Sequence, residues 1–277
     1  MSNLISKHHQ KLISILAEHN ELLNIGYAAL LLAHLDLPNR DLTNYLLELD
    51  LITKNMKKAC VKKNSLVEQV QALSETLFDR HGYSGDTESY DDPQNANLIR
   101  VIDRRKGLPV ALGVLIIHAS RSQGWNILGI NFPGHFLLRL TKAGEHVLID
   151  PFNKSHLLLK EDLQKIITRI HGPQAKLQPE FFRIASDRDI LIRLQNNIKT
   201  RALRDNNTHR AIKILHSMTL IQPKNLGILA ELVLLESAEG HYQSALKKIN
   251  HFLEQNSLSE GTSYLIDLRE NFKRNLN

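Results

Sequence analysis

The sequence predicts an α+β fold that continues into an all-α helical-repeat tail, and three observations predict it. Helix-period patterning dominates as far as Gly124, and residues 125–149 switch to strand-forming runs. Helical patterning returns at Asp187 with a 34-residue period. We place the division between the parts accordingly, at 1–186 and 187–277.

Residues 4–25 space their apolar side chains at roughly helical intervals (Leu4, Ile5, Leu12, Ile13, Leu16, Leu22, Leu23). A second helical run, Ala28–Leu35, stops near Pro38. Two further helices are expected at Leu42–Val61 and Ser65–Phe78, the latter opened by Ser65 with Glu68 at capping-box spacing. His81–Asp92 is rich in turn formers and without period, hence a loop. Its acids, Asp91 and Asp92, are expected to cap a helix that begins at Pro93, with a short helix over Asn97–Arg105 and Gly107 just past its end.

Pro109 then opens a helix that is apolar around its whole circumference, from Val110 to Ile117, and that ends at Gly124. Proline suits the first helical position because its missing N–H would find no partner there, and all-round apolarity places a helix in the middle of a domain. Trp125–Phe132, Phe136–Leu140 and His146–Ile149 read as antiparallel strands, the last two joined by a turn within Lys142–Glu145. In the tail, Ala211, Leu215 and Met218 precede Ala245, Ile249 and Phe252 by one period, as Asn206 precedes Gly240 and Ile212 precedes Leu246. Helix–turn–helix units of 34 residues with a small residue at the helix crossing are the tetratricopeptide pattern.

Composition narrows the function classes. The chain has 277 residues, 42% hydrophobic and 23% charged, enough for a core without disulfides. A lone cysteine, Cys60, and a charged N-terminal stretch lead us to expect a cytoplasmic protein. The apolar run Leu108–Ala119 is too short for a bilayer. The net charge of +6 is scattered and aromatics are 5%, so neither a phosphate-tracking patch nor a base-stacking platform is evident. Fourteen histidines form no metal-ligand motif, and no glycine loop cradles phosphates, so neither metal nor cofactor is expected.

His135 and Asp150 are the candidate site residues. A two- or four-residue turn in the second hairpin sets Asp150 across from Leu137, on the face that carries His135. A three-residue turn would separate them. An aspartate orienting an imidazole is half of a nucleophilic machine. Tyr90-Asp91-Asp92-Pro93-x-Asn95, Arg105-x-Gly107-Leu108-Pro109, Phe132-Pro133-Gly134-His135-Phe136 and Ile149-Asp150-Pro151-Phe152-Asn153, in this order, resemble the SirB-type family. That family joins a transglutaminase-like core to C-terminal tetratricopeptide repeats.

The wider superfamily uses a Cys–His–Asp triad whose cysteine begins a buried helix. The resemblance aligns His135 and Asp150 with its second and third members, and it puts Pro109 in the nucleophile position. Proline offers no nucleophile. Cys60 belongs to no recognisable motif, and Ser120 and Ser122 lie at the far end of the central helix. The expectation is therefore a non-catalytic module that binds a protein or peptide through its cleft and residues 187–277. The alternative is an amide hydrolase or acyltransferase that uses His135 and Asp150 with a non-cysteine nucleophile.

Overall fold

The computed structural model describes residues 2–18, 22–256 and 262–275, with side chains placed from residue 7 onward. The chain divides into two compact units, Met1–Leu194 and Gln195–Asn277. The first contains helices α1 (Ser2–Ala17), α2 (Ile25–Asp36), α3 (Thr43–Ala59), α4 (Leu66–Ser74), α5 (Leu98–Arg104), α6 (Pro109–Arg121) and α7 (Lys160–His171). Helix α8 (Asp187–Arg204) begins in this unit and ends in the second. The strands are β1 (Ser84–Gly85), β2 (Lys106–Gly107), β3 (Asn126–Phe132), β4 (His135–Lys142), β5 (Glu145–Asp150), β6 (His156–Leu158) and β7 (Ile184–Ala185).

Local chemistry sets the element ends. Ser65 accepts from the Glu68 N–H, and Glu68 reaches back to the Ser65 N–H at 2.8 Å, a closed capping box. Past Ser74 the helix widens into a π turn over Glu75–Arg80. Asp92 caps the short 3₁₀ turn Pro93–Ala96, its carboxylate 2.8 Å from the Gln94 N–H. The end of α5 departs from expectation. The left-handed residue is Arg105 (φ 57°), not Gly107, which lies in β2. Arg105 is held in that conformation by its guanidinium, which pairs with Glu48 and lies 4.7 Å over the Tyr83 ring.

Glu48 sits at the centre of a partly buried polar cluster. Its Oε1 accepts from His81 Nδ1 at 2.8 Å, from Tyr83 at 3.2 Å and from Arg105, so one carboxylate ties α3 to residues 81–83 and to the end of α5. Burial alone would raise the Glu48 carboxyl. The hydrogen bonds from His81 and Arg105 outweigh that and hold it at about 2.

β6, β5, β4, β3 and β7 form, in that spatial order, one antiparallel sheet. The β4–β5 turn consists of Ala143 and Gly144 alone, with φ of 51° and 86°, the double left-handed geometry of the hairpin turn that matches strand twist. Every residue of α6 from Val110 to Ile117 is buried, and the helix lies against α2, α3, β3 and β4. Gly113 is what lets it approach the sheet, since a Cβ there would sit 2.5 Å from Cε1 of Phe136. The other sheet face carries Ile130, Phe132 and Leu137 and packs on Leu163 and Ile167 of α7. β6, α7 and β7 were not anticipated from the sequence.

The second unit contains α9 (Thr208–Ile221), α10 (Leu226–Ala238), α11 (Tyr242–Gln255) and α12 (Thr262–Arg274). Both bounds of α9 recur 34 residues later as the bounds of α11. The turn before each helix is built alike. Asn207 N–H donates to the Ala202 carbonyl and His241 N–H to the Glu236 carbonyl, both at 2.8 Å, and Asn206 and Gly240 share a positive φ. Ala211, Leu215 and Met218 are buried, and so are Ala245, Ile249 and Phe252. Among the described residues no helix is long and apolar enough to cross a membrane.

The tight α6–sheet approach yields a stability test. Gly113→Ala should lower the unfolding free energy by about 1–3 kcal/mol through overpacking against Phe136, although alanine is the better helix former. Chemical denaturation of the two proteins measures the difference.

Candidate functional site

The four sequence motifs meet around the start of α6 and the ends of β4 and β5. Asn95, fully buried, is the hub of the first two. Its backbone carbonyl accepts the Leu108 N–H at 2.9 Å, fixing the residue before Pro109. Its side-chain amide donates to the Ser89 carbonyl at 2.7 Å, and its Oδ1 accepts from Arg104 at 2.9 Å. Arg104 also reaches Asp86, 1% exposed, at 2.9 Å and lies 3.6 Å from Asp92. Burial would raise the Asp86 carboxyl, but the Ser89 N–H, Asn95 and Arg104 together hold it below the usual carboxylate range.

The first and fourth motifs meet through aromatic rings. Tyr90 packs edge-on against Phe152 with centroids 5.7 Å apart. Phe152 lies so close over Gly85 that a Cβ there would come within 2.6 Å of the ring. The third motif packs on α6, one turn beyond the second motif, through Phe136 and Gly113. Neither Arg104 nor Asp86 was singled out from the sequence, and a buried acid inside a turn-rich loop has no periodic signature by which to find it.

His135 opens β4, opposite Phe132. Gly134 before it has φ 66° and is crowded by Ile170 of α7, at 2.5 Å from where a Cβ would be, so only glycine fits both demands. Lys142 pairs with Glu145 and Leu138 with Ile149. Continued by one pair, that register sets Asp150 beside Leu137, on the face that carries His135. Proximity stops short of a hydrogen bond. Asp150 Oδ1 instead accepts the Phe152 N–H at 2.9 Å, and the buried Nδ1 of His135 has no partner among the described residues.

Burial pushes the His135 imidazole below its ordinary range, against the pull of Asp150, while Arg169 of α7 and Arg193 of α8 push it further down and the Gly134 backbone opposes them. Arg193 lies over the Phe136 ring at 5.7 Å from its centroid and 3.4 Å from Asn131 Oδ1. The imidazole thus lies among groups of both signs.

Pro109 is the first residue of α6, with Leu108 at the N-cap and no side chain capping it. Cys60, the single thiol, sits at the other end of that helix. Its Sγ is 3.5 Å from Oε1 of Gln123, just past Arg121. Thirteen residues at about 1.5 Å each separate the two ends by roughly 20 Å. Cys60 is therefore out of reach of the start of α6. His118, within α6, is also held below its ordinary range by burial, with the Leu49 backbone and Asp50 opposing, and its Nε2 is buried without a partner.

The model described as the transglutaminase-like superfamily matches residues 43–196. A UPF0162 protein of Xylella fastidiosa is 27% identical over 244 residues, which cover 87% of each chain. A UPF0162 protein of Vibrio cholerae is 32% identical over 160 residues, covering 57% of this chain and 59% of its own. F-box only protein 21 of Mus musculus is 27% identical over 106 residues, 35% of this chain and 17% of that one.

A histidine whose folded-state value is depressed refuses a proton that the unfolded chain accepts. Its contribution to stability is intact above the unfolded value and is lost as pH falls below it. The protein should therefore lose stability between about pH 7 and pH 5. His135→Gln should flatten that slope without abolishing it, because His34, His118 and His216 are depressed in the same direction. Melting curves of both proteins across this range provide the measurement.

Proposed function

The chain belongs to the transglutaminase-like superfamily, and from that membership we propose that it binds a peptide or protein partner rather than transferring acyl groups. Pro109 carries the reading. In the position where the superfamily's nucleophilic cysteine would begin the buried helix, this chain has a residue with no thiol, hydroxyl or amine to offer. The rest of the constellation supports it. Asp150 spends Oδ1 on a backbone N–H instead of orienting His135, and the single thiol is a helix length away.

We read the second unit as a pair of tetratricopeptide units within a SirB-type arrangement. The recurrent turns and the 34-residue offset of α9 and α11 support this, and such helix pairs present surfaces suited to extended peptides. The partner would engage the His135 surroundings, the helical repeats, or both.

Full-length protein panned against an immobilised peptide library should retain a defined set of sequences. For a peptide held near β4, His135→Gln should weaken binding by about tenfold, equivalent to about 1.4 kcal/mol, and leave the melting temperature at neutral pH nearly unchanged. For one held on the repeats, Leu234→Asp, at an exposed apolar position of α10, should do the same. A protein that retains no peptide, or binding indifferent to both substitutions, contradicts the reading.

A further inference from the structure

A cavity of about 710 Å³ lies between α1, α2 and the α2–α3 connection, away from every residue of the site described above. Its volume is in the range of about 300–1,000 Å³ typical of small-molecule sites. Lys7, His8 and Lys11 line it from α1, Tyr27 from α2, and Asp41 and Leu46 from the far wall. We propose that this cavity binds a small phosphorylated molecule, with the phosphate held between Lys7 and Lys11. The proposal is independent of the peptide-binding reading.

Three observations carry it. Lys7 and Lys11 stand one helical turn apart on the same face of α1, and neither makes an ion pair among the described residues. Like charges at that spacing repel, and an anion between them would remove the repulsion. Second, the lining contains lysines and no arginine. Lysine holds phosphate as a point charge, a role that two ammonium groups one turn apart can share around one anion.

Third, the wall behind the lysines holds unspent hydrogen-bonding capacity. The buried Nδ1 of His8 has no partner, and its ring meets that of His34 edge-on at 4.8 Å. His34 is 2% exposed and stands behind His8 rather than in the lining, so the idle nitrogen that borders the cavity is that of His8. A buried imidazole nitrogen without a partner is costly in a wall that meets only protein. It is accounted for where a polar ligand fills the space in front.

Asp41 shapes the other end. Its Oδ1 accepts both the Thr43 N–H, at 3.1 Å, and the Thr43 hydroxyl, at 2.9 Å, which leaves Oδ2 to accept a hydroxyl from the ligand. A carboxylate there repels a second phosphate, so the ligand carries one phosphate and at least one hydroxyl. The volume beyond the lysines is far larger than a lone phosphate needs.

The test is calorimetric titration of the full-length protein with glycerol phosphate, inorganic phosphate and glycerol, alongside NMR of the histidine ring signals. Glycerol phosphate should bind saturably and move the His8 and His34 signals, inorganic phosphate should bind more weakly at the same place, and glycerol should not bind. Lys7→Gln/Lys11→Gln, two exposed positions, should lose at least about tenfold in affinity with an unchanged melting temperature. Failure of both phosphate-bearing probes to bind saturably, or equal binding by the double variant, overturns the proposal.

Discussion

Helix α6 is apolar on every side, and the N-terminal unit is arranged to keep water from it. A helix of this composition has no solvent face to fall back on, so α2 and α3 must cover one side and the sheet the other. The two ends of the contact are fixed by different means. Gly113 sets how closely the sheet approaches, and the Leu108–Asn95 hydrogen bond sets where the helix begins. The Asn95–Arg104–Asp86 network and the Glu48 cluster then hold the connecting segments around that start. Their buried charges are paired, as burial requires.

In the proposed reading the same starting residue also bears on the chemistry. Proline is well suited to the first turn of a helix, with its φ preset and no N–H left unpaired. As a nucleophile it is useless. A residue suited to the helix start thus stands where, on the proposed reading, a thiol would be needed. On that reading His135 and Asp150 need not be aligned for proton transfer, and the turn of Asp150 onto Phe152 is consistent with a carboxylate that serves the β5 end instead.

Much of this was legible in the sequence because it depends on local rules. The capping box at Ser65, Pro109 at the start of a buried helix, the hairpin over 142–145 and the 34-residue offset all follow from residue type and spacing. What escaped depends on long-range contacts. Arg105 adopts a left-handed backbone because Glu48 and Tyr83, distant in sequence, hold its guanidinium, whereas local preference pointed to Gly107. Helix α7 carries Leu163 and Ile167 at helical spacing and was within reach of a periodicity argument. The two-residue strand β7 was not, since a pair of residues has no period to read. Around His135, the register of Asp150 was inferable, but its choice of the Phe152 N–H over the imidazole was not.

The most direct measurement of the central claim is ammonia release from glutamine-containing peptides, with and without an added amine, by the full-length protein and by its Cys60→Ser and His135→Ala variants. If Pro109 has removed the chemistry, none of the three exceeds the uncatalysed rate. Turnover by the wild type that survives loss of the thiol and vanishes with His135 would contradict the account.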